Sequence, residues 1–375
     1  MRPSSIEYRA HREDTGGIRA CAPDRGNALQ RFSITPVIVL LLLLAACAPT
    51  DNNHNVQLHT LGTLVTLRYY DTDEATAEAA TDALERLYRD YGRDWYPWYE
   101  PADRSELARI NHALAKGESV KVSEELASLL KRATDLEARS GGLFNVALGA
   151  LTEVWGFHEP LQQDWQPPSD AAIESVLASR PGAGQLQWDG LRLTSNNRDI
   201  VIDPGGIAKG ALLAMSVRVL REQGIQNAIV DLGGDMTVIG QVHGRAARIG
   251  IRDPDGGEPI GGIEALAGQT IVTSGNYERF FESDGQRYTH VLDPRTGYPA
   301  QDTASVTVID TDPVLADAAA TALLVAGSAE FAEACERLGI DHALLISDRG
   351  DLRLTPQMRE RVHWRNQESA GNANP

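Results

Sequence analysis

Cysteine, positive charge and long apolar runs are all scarce in this chain. Its 375 residues include three cysteines, and two of them, Cys21 and Cys47, stand near the N-terminus. The remaining Cys335 lies on a predicted helix, so we expect no disulfide within the folded part of the chain. A chain of this length can bury a large hydrophobic core without a disulfide framework.

Basic residues are outnumbered by acidic ones. The chain holds 35 Lys and Arg against 52 Asp and Glu, which gives a net charge of −17. Nucleic-acid binding relies on a basic face that contacts phosphates. The composition therefore argues against nucleic acid as a partner. A dianionic small ligand can still bind if a metal ion or a few local cations hold it.

The apolar run Val37–Ala46 is too short to cross a membrane, since a spanning helix needs about twenty apolar residues. A basic residue, Arg31, precedes it, and small residues lead into Cys47, as in a secretory signal segment. The Leu-Ala-Ala-Cys sequence at Leu44–Cys47 resembles the lipobox of bacterial lipoproteins, in which the cysteine receives a lipid. A short buried helix in a cytoplasmic protein is the alternative.

These features predict how the chain is divided. We expect a leader over 1–46, a lipid-modified Cys47 opening a linker over 47–56, a folded domain over 57–350, and a partly disordered tail over 351–375. The protein would then be anchored by lipid on the periplasmic side of a bacterial membrane.

Periodicity predicts a mixture of helices and strands. Thr63–Tyr69 alternates as a strand does, and a helix should follow over about 73–91. Ser123 predicts the cap of a further helix that ends at Gly141. The other predicted elements are strands near 186–188, 199–202, 228–232, 272, 286–291 and 305–309, helices over 208–223 and 313–327, and a helix–strand pair over 329–346. Because they do not alternate regularly, we predict an α+β fold with a single mixed sheet.

The segment Asp203–Gly210 joins a predicted strand to a predicted helix and reads Asp-Pro-Gly-Gly-Ile-Ala-Lys-Gly. Its glycines let the backbone approach a ligand, and the helix start offers free N–H groups to a phosphate. It lacks the P-loop spacing. Two glycines that only turn the chain are the structural alternative.

Asp317 and Thr321 stand four residues apart on an otherwise apolar helix and therefore share one face. A carboxylate and a hydroxyl placed in this way offer oxygen ligands to a hard cation such as Mg²⁺. Alternatively, Thr321 bonds to its own helix and Asp317 is solvated.

His290 precedes an Asp-Pro-Arg turn at Asp293–Arg295. A histidine with a pKa near neutrality can take a proton from a hydroxyl group, although a single histidine is more often a packed or surface side chain. Aromatic residues near Trp95–Tyr99 and Trp155–Phe157 suit the flat face of a flavin or adenine ring, but they could equally be core.

Together these segments resemble the ApbE family of flavin transferases. Leu61–Thr63 is similar to the family's opening Met-Gly-Thr, and Ser105–Asn111 is similar to its Ser-Glu-Leu…Asn segment. Further matches are Asp203–Gly210, Thr273–Phe280, His290–Gly297 and Ala316–Thr321, and the resemblance extends from about Leu61 to Ile346.

The resemblance implies an α+β domain that uses FAD and Mg²⁺. It implies that the FAD diphosphate is cleaved, that FMN passes to a threonine hydroxyl of an acceptor protein, and that AMP leaves. The acceptors would be exported flavoprotein subunits of membrane redox pumps of the NADH:quinone reductase and Rnf types, and this function favours the inner membrane as the location.

The resemblance also implies roles for single residues. Asp317, Thr321 and the Gly206 carbonyl would bind the metal. Histidine chemistry makes His290 our candidate base, so that His290 and Asp317 are the predicted catalytic residues. The predicted FAD-binding residues are Leu61, Tyr99, Leu143, Phe144, Asn145, Asp203, Lys209 and His290.

The chain departs from the family pattern at Asn145. Many members read Gly-Gly-x-Phe-Asp-Pro there, so an amide replaces a carboxylate, and flavin affinity would differ if that charge mattered. Trp98 is an alternative to Tyr99 at the aromatic position. Two other functions stay open: an FAD pyrophosphatase that gives FMN and AMP, and a flavin- or solute-binding lipoprotein without catalysis. The binding protein would need neither Asp317 nor His290.

Overall fold

Helices and strands follow one another irregularly in the computed structural model, which describes residues 52–160, 165–365 and 373–374. The α-helices in these ranges are α1 Glu74–Asp94, α2 Glu106–Lys116, α3 Glu124–Ser140, α4 Gly149–Val154, α5 Asp170–Ala178, α6 Ala208–Glu222, α7 Pro313–Leu338 and α8 Pro356–Arg361. The strands are β1 His54–Thr60, β2 Thr63–Tyr69, β3 Val120–Lys121, β4 Leu186–Asp189, β5 Arg192–Ser195, β6 Ala228–Leu232, β7 Asp235–Ile239, β8 Ala247–Ile251, β9 Gly261–Ala265, β10 Thr270–Gly275, β11 Phe280–Ser283, β12 Gln286–Thr289, β13 Thr303–Asp310, β14 His342–Ser347, β15 Leu352–Leu354, β16 Val362–Trp364 and β17 Ala373–Asn374.

The main sheet has nine strands in the order β1-β2-β6-β7-β10-β13-β14-β15-β17. Its neighbours are antiparallel, except that β15 and β17 run parallel. Alternate residues of β6 face opposite sides: Val230 packs with α1 and α6, whereas Ile229 packs with β8, β9 and α8. Helices and antiparallel sheets in this arrangement confirm the predicted α+β class.

Helix α7 lies at the centre of the largest core cluster. In the described part of the chain it is the only helix long and apolar enough to span a membrane, but 72% of its apolar window is buried inside the protein. It packs against β10 and β13. At Gly327 the backbone turns to φ 63°, which agrees with the predicted helix end at 327.

Several predicted elements are confirmed with their caps. Ser123 accepts a hydrogen bond from Leu126 N at the start of α3, and Gly141 ends that helix in the left-handed region at φ 70°. β2, β6 and α6 also lie where periodicity predicted them. These elements are specified by local sequence, because both the apolar pattern and the terminating residue are present.

One predicted strand was wrong. Residues 199–202 do not form a strand and make only an isolated bridge, between Val201 and Leu148. β1 begins at His54, inside the predicted linker, and α8 and β16 lie inside the predicted tail. The leader and Cys47 lie outside the described residues.

Candidate active site

Nine predicted site residues line one cavity of about 290 Å³. They are Leu143, Phe144, Asn145, Asp203, Gly206, Lys209, His290, Asp317 and Thr321. This volume is close to the lower end of small-molecule sites, about 300–1,000 Å³. Two wider clefts of about 640 and 750 Å³ lie beside Asp302, but neither contains a predicted site residue. The residues that line the cavity therefore identify the site, and its volume does not.

The turn before α6 is fixed by side chains. Asp203 accepts hydrogen bonds from Gly205 N at 3.0 Å and from the Thr152 hydroxyl at 2.9 Å. Burial raises the pKa of Asp203, and these two hydrogen bonds oppose the rise. Just upstream, the Asn111 amide donates to Ile202 O at 3.0 Å and accepts from Ile202 N at 2.8 Å. Asn111 thus takes the place of a neighbouring strand.

Asp317 faces the start of α6. Its carboxylate accepts a hydrogen bond from Gly210 N at 2.7 Å. A Cβ at position 210 would collide with the Pro313 carbonyl and come within 2.8 Å of Asp317 Cβ. Glycine therefore allows α6 to approach α7 closely enough for this bond. The Asp317 side chain is buried, which raises its pKa to about 7 although the Lys209 ammonium acts against the rise.

Three oxygen groups of the cavity lining, those of Asp317, Thr321 and Gly206, fit a hard cation. Thr321 Oγ1 lies 3.5 Å from Gly206 O, and Asp317 keeps a second carboxylate oxygen beyond the one bonded to Gly210. A Cβ at Gly206 would lie 3.1 Å from Thr321 Oγ1 and 3.4 Å from the Phe144 ring. A carboxylate, a hydroxyl and a carbonyl are the ligand types that Mg²⁺ takes, so the donor set is suitable for it.

Lys209 is held by a buried partner. Its ammonium forms an ion pair with Asp235, whose side chain is 1% exposed. Burial alone would lower the pKa of Lys209, but the carboxylates of Asp235 and Asp317 raise it above its ordinary value. Lys209 therefore stays positively charged in the cavity wall.

His290 lies where the hairpin of β11 and β12 returns to the cavity. Both its backbone N–H and its ring Nδ1 lie 3.1 Å from the Arg279 carbonyl. Because a carbonyl only accepts, Nδ1 carries the proton and Nε2 keeps its lone pair. Burial lowers the pKa of His290 to about 4, although the hydrogen bond to Arg279 acts against this. The imidazole is therefore neutral at neutral pH.

Comparison with known proteins decides the family. The ApbE family model matches residues 61–344. The chain belongs to the ApbE family. The FAD:protein FMN transferase of Rhodobacter capsulatus is 36% identical over 354 residues, which covers 92% of this chain and 65% of that protein. The enzyme of the same name from Treponema pallidum is 34% identical over 316 residues, which covers 77% of this chain and 83% of that one.

Solved ApbE structures share the fold. The Thermotoga maritima ApbE protein has a TM-score of 0.73 at 31% identity, covering 82% of this chain and 99% of its own. Apo flavinyl transferase ApbE from Pseudomonas stutzeri gives 0.72 at 28% identity, covering 83% and 97%. The resemblance predicted from the motifs is confirmed. So is the transferase class, since these relatives are named as transferases.

Two residues predicted from the ApbE resemblance lie outside the cavity wall. Leu61 is 38% exposed with a left-handed φ of 55°, and its side chain packs beside Gly92. Tyr99 packs edge-on against Tyr96, 4.8 Å between ring centroids, while Tyr96 and Trp98 line the cavity. Trp98, the alternative to Tyr99, thus lies in the cavity wall, whereas Tyr99 does not. Their roles toward FAD stay predictions.

The ApbE motifs left some cavity residues without a role. Thr152 and Arg279 line the cavity. Asp235 lies behind the lining residues and pairs with one of them, Lys209. The position of Asp235, directly after two glycines and at the start of an apolar strand, was the signal that could have found it. Thr152 had no such signal, because its partner Asp203 is distant in sequence.

Proposed function

We propose that this chain transfers the FMN half of FAD to a threonine hydroxyl of an acceptor protein in a Mg²⁺-dependent reaction that releases AMP. The observation that carries the proposal is the cavity in which an oxygen donor set, a paired lysine and a neutral histidine stand together. The names of the ApbE relatives support the flavin donor.

Each wall residue has a distinct task in this reaction. Asp317, Thr321 and the Gly206 carbonyl would hold Mg²⁺, which when bound supplies Lewis-acid polarisation of the diphosphate. Lys209 places a fixed positive charge nearby, because Asp235 orients it. Phosphoryl transfer depends mainly on such positioning and charge neutralisation.

His290 acts on the incoming hydroxyl. Its Nε2 lone pair takes the threonine proton while the threonine oxygen bonds to the FMN phosphorus. The bond from that phosphorus to the bridging oxygen breaks, and AMP leaves with the electron pair. The Arg279 carbonyl keeps the imidazole in the required tautomer.

The test is to incubate the purified protein with FAD, Mg²⁺ and an exported subunit of an NADH:quinone reductase or Rnf-type pump. In-gel flavin fluorescence of the acceptor is the expected result, with Asp317→Ala as the inactive control. Release of FMN and AMP without acceptor labelling would favour the pyrophosphatase instead. Bound FAD that stays intact would leave only a binding protein.

We further propose that the protein is lipid-anchored through Cys47 on the periplasmic side of a bacterial membrane, the inner membrane being favoured. The support is the Leu-Ala-Ala-Cys sequence that follows an apolar segment. Two or three acyl chains hold a protein durably, whereas one does not. Cys47→Ser should give unprocessed or soluble protein, and a processed form that stays in the membrane would contradict the anchor.

A further inference from the structure

Arg279 is the second cation of the cavity wall, and its charge is not matched by a partner in the described residues. Lys209, the first, is paired with Asp235. Arg279 donates from Nη2 to Glu159 O at 2.6 Å. In residues 52–160 and 165–365 no carboxylate lies within 4.0 Å of its guanidinium, so most of its five N–H groups stay available.

The surroundings of Arg279 favour an anion. Burial lowers the pKa of its guanidinium, and the more distant charge of Asp203 acts in the opposite direction. A partly desolvated cation is stabilised most by an anionic ligand that enters the same cavity. Since Asp203 caps the turn that carries Gly206, Arg279 is electrostatically linked to the predicted metal-binding side.

We propose that the Arg279 guanidinium binds the diphosphate of FAD. The identity of this ligand rests on the proposed function. A planar guanidinium offers two parallel N–H donors to phosphate oxygens, which an ammonium cannot do. Bound in this way, the diphosphate meets Arg279 together with Lys209 and the oxygen donor set in a cavity that is otherwise rich in carboxylates.

The side chain of Arg279 can be changed while the hydrogen bonds that hold His290 are kept. The histidine is anchored by the backbone carbonyl of Arg279, which every substitution at this position retains. Arg279→Gln and Arg279→Lys therefore change the guanidinium while the histidine anchor stays. Arg287→Gln is the matched control, because Arg287 lies on the exposed strand β12, pairs with Glu282 and does not line this cavity.

The experiment measures the FAD dissociation constant by quenching of flavin fluorescence, without acceptor protein, at low and high NaCl. Arg279→Gln should weaken FAD binding by about tenfold to a hundredfold, as expected for a lost charged hydrogen bond. It should also reduce the salt dependence of binding, because one ionic contact is gone. Arg279→Lys should give an FAD affinity between those of Arg279→Gln and the wild type, and Arg287→Gln should match the wild type.

Two results would overturn the assignment. One is unchanged FAD affinity in Arg279→Gln. The other is weaker binding with an unchanged salt dependence, which would mean that Arg279 only shapes the wall. Thermal melting of each variant reports whether the fold is intact. Transfer is measured separately: a wild type that binds FAD but labels no acceptor contradicts the proposed function and leaves this result standing.

Discussion

The two walls of the cavity are built differently. The turn wall consists of Asp203–Gly210 with Asp317 and Thr321, and its polar groups are largely engaged within the protein. Asp203 is bonded to Gly205 and Thr152, Asp317 to Gly210, and Lys209 to Asp235. The hairpin wall consists of Arg279 and His290, whose side chains are each held by one backbone carbonyl. The polar side chains of the turn wall are therefore held in place without a ligand, whereas Arg279 and His290 keep donor and acceptor atoms that can contact one.

The difference follows from what each wall rests on. The turn wall stands on α6 and α7, which pack against each other in the main core. The hairpin of β11 and β12 forms its own two-stranded sheet. It rests on an aromatic cluster in which Phe281 stacks on Tyr288 at 5.1 Å between ring centroids, and Trp155 packs at a tilt against Tyr288. Rigid core helices suit a metal site, whereas a separate hairpin suits groups that contact substrate.

The largest expected loss of transfer activity comes from a substitution in the turn wall. Asp317→Ala should lower transfer by about 10³-fold or more, because metal polarisation supplies several kcal/mol at the reacting phosphate. EDTA should have the same effect on the wild type, and added Mg²⁺ should reverse it. In-gel flavin fluorescence of the acceptor measures the loss.

Asp317→Asn separates charge from architecture. Its amide oxygen can still accept from Gly210 N, so the contact between α6 and α7 is kept while the anionic ligand is lost. We expect a melting temperature near that of the wild type together with low transfer. Full activity of this variant, or of the wild type in EDTA, would show that Asp317 and Thr321 are structural.

The next largest loss of activity is expected from a substitution in the hairpin wall. His290→Asn can still donate to the Arg279 carbonyl but has no basic nitrogen. Loss of a general base costs about 10²–10⁴ in rate, so turnover should fall while the FAD dissociation constant changes little. If His290 only contacts the flavin, FAD affinity will fall and the rate at saturating FAD will survive.

The pH profile gives a second test of His290. The imidazole accepts a proton only when neutral, and burial lowers its pKa to about 4. The acid limb of wild-type kcat/KM that belongs to His290 should therefore lie near pH 4, well below the ordinary histidine value of about 6.5. His290→Asn should lack this limb. A wild-type limb near pH 6.5 that disappears in the variant would contradict the buried, neutral state.

The sequence predicted the turn wall better than the hairpin wall. Asp317 and Thr321 share a helix face, and Asp203–Gly210 is one contiguous motif, so spacing alone groups them. Arg279 and the supporting Asn111 and Thr152 could not be assigned, because their partners lie far along the chain. The failed strand at 199–202 has the same origin: Ile202 forms its hydrogen bonds with a side chain, that of Asn111, which no periodicity reveals.

A smaller effect on stability and FAD affinity is expected from the loss of Asn111, whose side chain supports the turn wall. Asn111→Ala leaves the N–H and C=O of Ile202 without their partner, which should cost about 1–3 kcal/mol in the free energy of unfolding. FAD affinity should fall several-fold, because Asp203 follows directly. Asn197→Ala is the control: its amide also donates to a backbone carbonyl, that of Ser179, but away from the cavity. Urea unfolding measures the stability of both variants, and FAD titration measures their affinity. Equal FAD affinity of the two variants would show that Asn111 has no positioning role.

The smallest effect concerns Asn145, where the chain departs from the family's aspartate. Its amide is committed on both sides: Nδ2 donates to Pro181 O at 2.9 Å, and Oδ1 accepts from Ala147 N at 2.8 Å. Asn145→Asp keeps the second bond but sets a carboxylate against the Pro181 carbonyl, so the free energy of unfolding should fall by about 1 kcal/mol. Because the side chain is already engaged with the backbone of Pro181 and Ala147, FAD affinity should change less than about threefold, roughly 0.6 kcal/mol. A tenfold or larger change at low salt that disappears at high salt would instead show that charge at this position acts on the flavin.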